Sequence, residues 1–142
     1  MAEPLYTLDI LRLAASTANL ARLDAPDATA ERRSPACGSR VTIDLATGED
    51  GKIARIGAEV RACAMGQAST ALFARHAIGR DTTEIAASRD ALASWLGGGP
   101  AGGALWPEYS VFAPAIPRTA RHAAILLPFD AALAALRQTA DA

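Results

Sequence analysis

The chain has 142 residues, 51% of them apolar and 20% charged, with a net charge of −1 at pH 7. That length suits a single domain over 1–142 with a core that needs no staples, and the composition excludes a disordered chain. The near-neutral balance removes the counterion-release drive for nucleic acid and any basic patch for anionic membranes, so neither is an expected partner.

The opening residues, Glu3 and Pro4 among them, lack the basic-then-apolar order of a secretory signal. The most apolar run, 123–127, meets Pro128 and falls short of a bilayer span. A cytoplasmic setting is the expectation. Two cysteines, Cys37 and Cys63, make no disulfide framework. They read as thiols or as small buried hydrophobes.

In chain order, Leu5, Leu8, Leu11 and Ala15 recur at helical spacing and predict a first helix over 5–15 with that stripe inward. Residues 22–35 are polar and proline-bearing, a loop or irregular strand. Alternation over 40–45 predicts a strand with Val41, Ile43 and Leu45 on one face and Thr42 and Asp44 on the other. Asp44, like Glu59, is expected to be a solvated charge. Gly48, Glu49, Asp50 and Gly51 supply a turn. A returning strand follows over 52–60, with a bulge near Arg55 or Gly57 because Ile53 and Ile56 are three apart.

From Ala64 the period becomes helical, with Ala68, Ala71 and Leu72 inward and Gly79 ending the helix. Asp81, Thr82, Thr83 and Glu84 read as a capping box for the next helix, which Ser88 recaps. Residues 97–103 are a glycine-rich loop; no Lys-Ser/Thr follows, so it is not a phosphate loop. Residues 106–117 are irregular but packed. A last helix covers 129–139, and Pro128 allows it to begin no earlier than about Ala123. A lone hairpin is marginal; a third strand from 22–35 completes a usable sheet with helices on one face, an α+β fold.

Chemistry is sought at the thiols. Cys37 lies in Ser34-Pro35-Ala36-Cys37-Gly38-Ser39, just before a strand, and Cys63 stands where a strand hands over to a helix. A helix start presents unpaired N–H groups and the positive end of the macrodipole. That favours thiolate, the form that binds metal or attacks sulfur. Because one cysteine precedes the hairpin and the other follows it, both are expected at one end of the sheet, with Cα atoms within about 10 Å, close enough to share a metal. His76 lies about 20 Å along the helix from Cys63 and reads as a surface residue.

The words around these thiols carry more. Pro35-Ala36-Cys37-Gly38, then a hairpin, then Cys63-Ala64-Met65-Gly66-Gln67-Ala68-Ser69 with Leu72, resembles the IscU/SufU type of iron–sulfur cluster assembly scaffold, the NifU N-terminal family. That family shows P-x-C-G-D, a hairpin, and G-C-x-x-x-x-A-S opening a helix. Tyr6 to Leu11 resembles its first helix, and Asn19 and Leu23 its next turn, with Ala21 where glycine is usual. Residues 116–121 resemble its run into a third cysteine, and Phe129 sits where an aromatic is common.

The resemblance implies a three-stranded antiparallel sheet backed by helices. It also implies a terminal site in which three cysteines and an aspartate, sometimes a histidine, hold zinc or a nascent cluster. Cys37 and Cys63 match the first two cysteines. Ser39 stands at the aspartate position. The third cysteine aligns with Ala124, or with His122 after a shift of two. Arg61 and Ala62 replace the usual small residues before the second cysteine.

The implied metal ligands are therefore Cys37, Cys63 and His122, with Cys63 also the candidate sulfur acceptor. The cargo would be iron, zinc or a transient iron–sulfur cluster. The implied partners are a cysteine desulfurase and apo iron–sulfur proteins. The expectation is a scaffold or carrier more than an enzyme. The alternatives are a persulfide acceptor without a cluster, or an interaction module that has lost its site and binds no cofactor.

Overall fold

The computed structural model describes residues 5–35 and 38–140. Its elements are α1 (Leu8–Ala15), β1 (Ala28–Arg33), β2 (Arg40–Thr47), β3 (Ile53–Arg61), α2 (Ala64–His76), α3 (Thr82–Leu96) and α4 (His122–Ala140). A 3-10 turn follows α1, and a longer 3-10 segment, Pro107–Ala115, links the glycine-rich loop to α4. The three strands form one antiparallel sheet in the order β1-β2-β3.

The sheet has two different faces. Ala30, Ile43 and Ala58 are register partners across the three strands, as are Ala28, Leu45 and Ile56. Their face meets the helices in one apolar core. Helix α4 lies at the centre and packs on β1, β2, α2 and α3. At about 25 cal/mol per Å² of apolar surface buried, this contiguous core holds the layers together.

The outer face is roofed by chain around Asp44 and Gly57, while Glu59 stays exposed as expected. Residues 21–23 cross it so closely that a Cβ on Gly57 would lie 2.6 Å from the Ala21 carbonyl and 2.7 Å from the Leu23 nitrogen. Ala58 N–H donates to Ala21 at 3.1 Å. Asp44 is consequently buried, not solvated as alternation alone predicts. Alternation records which residues share a face; it does not record that a later loop roofs that face.

Local chemistry explains the helix starts. Thr7 Oγ1 accepts from Ile10 N–H to cap α1, and Asp81 accepts from Glu84 N–H to cap α3. Helix α3 runs unbroken past Ser88, which is buried inside it and recaps nothing. The α1 stripe differs from expectation. Ile10 and Ala14 point inward while Leu8 and Leu11 are exposed, because helical spacing fits more than one stripe in so apolar a segment. The bulge falls at Ala54, opposite Ala46 and Thr47, next to Arg55.

Helix α4 starts at His122 and keeps Pro128 in its interior. Pro128 has no N–H for the Ala124 carbonyl. The next carbonyl, that of Ile125, accepts from the Ser69 hydroxyl of α2, which is also bonded to the Tyr109 phenol. Ser69 thereby ties α2 to α4 beside the proline. The apolar run at 123–127 is thus part of a longer helix. Residues 119–139 reach the length and hydropathy of a membrane span, and 67% of their most apolar 18-residue window is buried inside the fold.

Candidate functional site

Strand β3 delivers the chain to Cys63, the N-cap of α2, whose extended backbone (φ −63°, ψ 168°) turns the strand into the helix. Its carbonyl accepts from Gln67 N–H at 2.9 Å and opens the helical ladder. Its own N–H donates to Ser39 Oγ at 3.2 Å. The thiol is half-buried and free.

Ser39 closes the β1–β2 connection that carries Cys37. Ser34 N–H donates to the Ser39 carbonyl at 2.8 Å, and Gly38 N–H to the Ser34 carbonyl at 2.9 Å. Ser34 and Ser39 are both buried. The expected 10 Å spacing of the two thiols falls on Cys37, which lies outside the described residues. What the structure brings together is the closed base of the Cys37 loop and the backbone of Cys63. Ser39, at the aspartate position of the resemblance, acts there as a hydrogen-bonding strut.

The first turn of α2 also fixes the start of α4. A Cβ on Gly66 would fall 2.7 Å from Ala62 Cβ, 3.5 Å from the Ala124 carbonyl and 3.7 Å from Ala124 Cβ. Gly66 lets the two helices approach, and Ala124, fully buried, sets its methyl against that turn. Of the two candidates for the third ligand position, Ala124 is the one packed beside the cysteine-bearing turn.

His122 is engaged elsewhere. Its Nε2 lies 2.8 Å from the Ala115 carbonyl and 3.0 Å from that of Ile116. Carbonyl oxygens only accept, so Nε2 carries the proton and Nδ1 is the ring atom left for a metal. His76 is half-buried and bonded through Nε2 to Glu108 at 2.7 Å, alongside Arg75. Both histidines thus hold the Pro107–Ala115 segment, one near each end. Among the described residues, no group of three or more His, Cys, Asp or Glu side chains stands ready for a metal ion.

The strongest electrostatic centre is the roofed Asp44. Its carboxylate accepts from Arg22 Nε at 2.7 Å, Arg22 Nη2 at 3.0 Å, Leu23 N–H at 3.0 Å and Thr29 Oγ1 at 2.6 Å. Burial pushes its pKa up, but the bonds from Arg22, Thr29 and Leu23 outweigh that and hold it below the usual carboxylate range. Sequence reasoning missed this hub. Its one signal was an acid in the middle of a strand facing a Thr-rich, Arg-bearing neighbourhood. Ser69 and Gly66 were seen only as letters of a motif; their contacts supply the reason for the letters.

The whole fold is shared with solved structures. A NifU-like protein (N-terminal) from Brucella abortus superposes with a TM-score of 0.88 at 38% identity, over 96% of this chain and 95% of that one. An iron–sulfur cluster assembly scaffold assigned to the SUF system of Fervidobacterium islandicum AW-1 gives 0.83 at 21% identity, over 93% and 96%. A hypothetical protein gives 0.70 at 19% identity, over 92% and 97%. No protein-family model matches the chain, and no curated protein does. At 38% identity over nearly the full length of both chains, with the same three-stranded α+β fold, the chain belongs to the NifU-like N-terminal family.

Proposed function

We propose that this protein is an iron–sulfur cluster assembly scaffold or accessory protein that carries iron, zinc or a transient cluster as cargo on the thiolates of Cys37 and Cys63. The observation that supports this most is the bond from Cys63 N–H to Ser39 Oγ, which ties the cysteine-bearing helix start to the base of the other cysteine's loop. The proposed setting is cytoplasmic, between a cysteine desulfurase that supplies sulfur and apo proteins that receive the cluster.

In the sulfur step Cys63 is the acceptor. Its thiolate attacks the terminal sulfur of the desulfurase persulfide, that S–S bond breaks, and the desulfurase leaves as a thiolate. No outside oxidant or reductant is needed. His122 is the proposed third ligand, through Nδ1. A structural zinc or cluster site wants about four ligands, so two thiolates and one imidazole hold cargo loosely, as a donor should.

Anaerobic addition of iron and sulfide tests the proposal. Visible sulfur-to-iron absorption is expected, and Cys37→Ser or Cys63→Ser should each abolish it. If no absorption and no bound metal appear, the interaction-module reading replaces the scaffold. The buried Ala124 methyl beside Gly66 is the observation on that side.

A further inference from the structure

A cleft lies between α3 and the end of the glycine-rich loop. Arg80, Glu84 and Ser88 line one wall of this cleft of about 330 Å³, and Ala104, Leu105 and Trp106 line the other. One of these side chains carries a buried polar group without a partner. Trp106 is 3% exposed, and its indole Nε1–H has no hydrogen bond. Ser88 is 4% exposed and lines the cleft. Such groups are normally satisfied, and an unmet buried donor is a reason to look for a ligand.

The charges at the cleft are complementary to each other. The Arg80 guanidinium lies 4.8 Å over the Trp106 ring, and its Nη1 is 3.7 Å from Glu84 Oε2, too far for a good hydrogen bond. Its Nε is tethered to the His76 carbonyl at 2.9 Å, so the head group is held at the mouth with donors to spare. The loop wall is unpacked at Gly102 and Gly103, where added Cβ atoms would meet nothing within 4 Å.

We infer that this cleft binds a small amino acid. Its carboxylate takes the Arg80 fork and the Ser88 hydroxyl. Its ammonium takes Glu84, and its side chain lies on Ala104 and Leu105. Arg80 keeps its Nε bond to the His76 carbonyl and turns its Nη groups to the carboxylate, which then offers the Trp106 N–H an acceptor. A simple anion would meet Glu84 with the wrong sign, and a simple amine would meet Arg80 likewise.

The indole N–H resonances of the full chain test this, with L-alanine as the probe. Trp95 and Trp106 give two signals, and Trp106→Phe identifies which is which. The Trp106 signal should move saturably with L-alanine. Acetate and methylammonium should each act at least about tenfold more weakly. Arg80→Gln and Ser88→Ala should each weaken the response about tenfold while the thermal melt shows each variant still folded. An unmoved Trp106 signal, an equal response to acetate alone, or an undiminished response in both variants overturns the inference.

Discussion

The outer face of the sheet and the cysteine corner are built on opposite principles. On the outer face one carboxylate, Asp44, is fully buried and accepts four hydrogen bonds from three residues. At the corner, Cys63 is half-buried with a free thiol, and a methyl, Ala124, occupies the neighbouring position. The first region is saturated, and so contributes stability and uniqueness. The second is left short of donors, which suits the proposed role of holding cargo loosely. Polar saturation marks where this fold is held, and polar shortage marks where it can act.

The sharpest break in that comparison is Asp44→Ala. It strips Arg22, Thr29 and the Leu23 N–H of their shared acceptor and frees the roof over Gly57. The expected loss is about 3 kcal/mol at neutral pH, read from urea denaturation, with metal binding unchanged. The pH dependence has a definite sign. A carboxyl whose folded pKa is depressed contributes fully above its unfolded value, about 3.9. The contribution is lost as pH falls through the folded value. The stability gap between the parent and Asp44→Asn should therefore be constant from neutral pH down to about 4 and close below it. A gap that widens on acidification would show that Asp44 is not the stabilising anion.

Ser69→Ala comes next. The Ile125 carbonyl beside Pro128 loses its outside partner, and the buried Tyr109 phenol keeps only its bond to the Ser69 carbonyl. A loss of about 2 kcal/mol is expected, read from the denaturation midpoint. An unchanged midpoint would mean α4 tolerates Pro128 without help from α2.

Ala124→Cys acts on the depleted side. It places a third thiol beside the first turn of α2; the position is fully buried, so the added sulfur should cost about 1–3 kcal/mol of stability. Zinc affinity by calorimetry should rise at least about tenfold, near 1.4 kcal/mol. No gain would place the metal-binding face elsewhere than between Cys63 and Ala124.

How much of this was legible differs by region for physical reasons. The hairpin, the third strand, the α2 start and the Asp81 cap are local patterns, set by alternation, turn residues and capping. Asp44 was misread because its burial depends on residues 21–23 folding back over β2 and β3, a contact separated by about twenty positions that periodicity cannot register. Pro128 was misread because the rule against interior proline weighs one helix alone, whereas α4 is packed on β1, β2, α2 and α3. The proposed site rests on two cysteines in motif words. Ser39 reads as a turn residue that bonds its neighbours, but its bond to Cys63 N–H spans 24 positions and has no local signal. His122 reads as a loop-capping residue or a ligand, and its bonds to the Ala115 and Ile116 carbonyls are of the first kind.

His122 gives the smallest and most discriminating effect. Its Nε2 proton is shared between the Ala115 and Ile116 carbonyls at the end of the 3-10 segment. Removing it as His122→Ala leaves two part-buried acceptors that water can reach, so about 1 kcal/mol should be lost. A metal bound through Nδ1 would leave the Nε2 bond in place, since one ring nitrogen commonly ligates while the other donates to a carbonyl. The two roles are therefore compatible, and a double comparison separates them. His122→Gln can retain an N–H toward the carbonyls but offers no imidazole to a metal. If His122 ligates, zinc affinity should fall equally in His122→Ala and His122→Gln, while stability falls only in the first. If zinc affinity is the same in the parent and both variants, the histidine serves the 3-10 segment alone, and the cargo rests on the two thiolates.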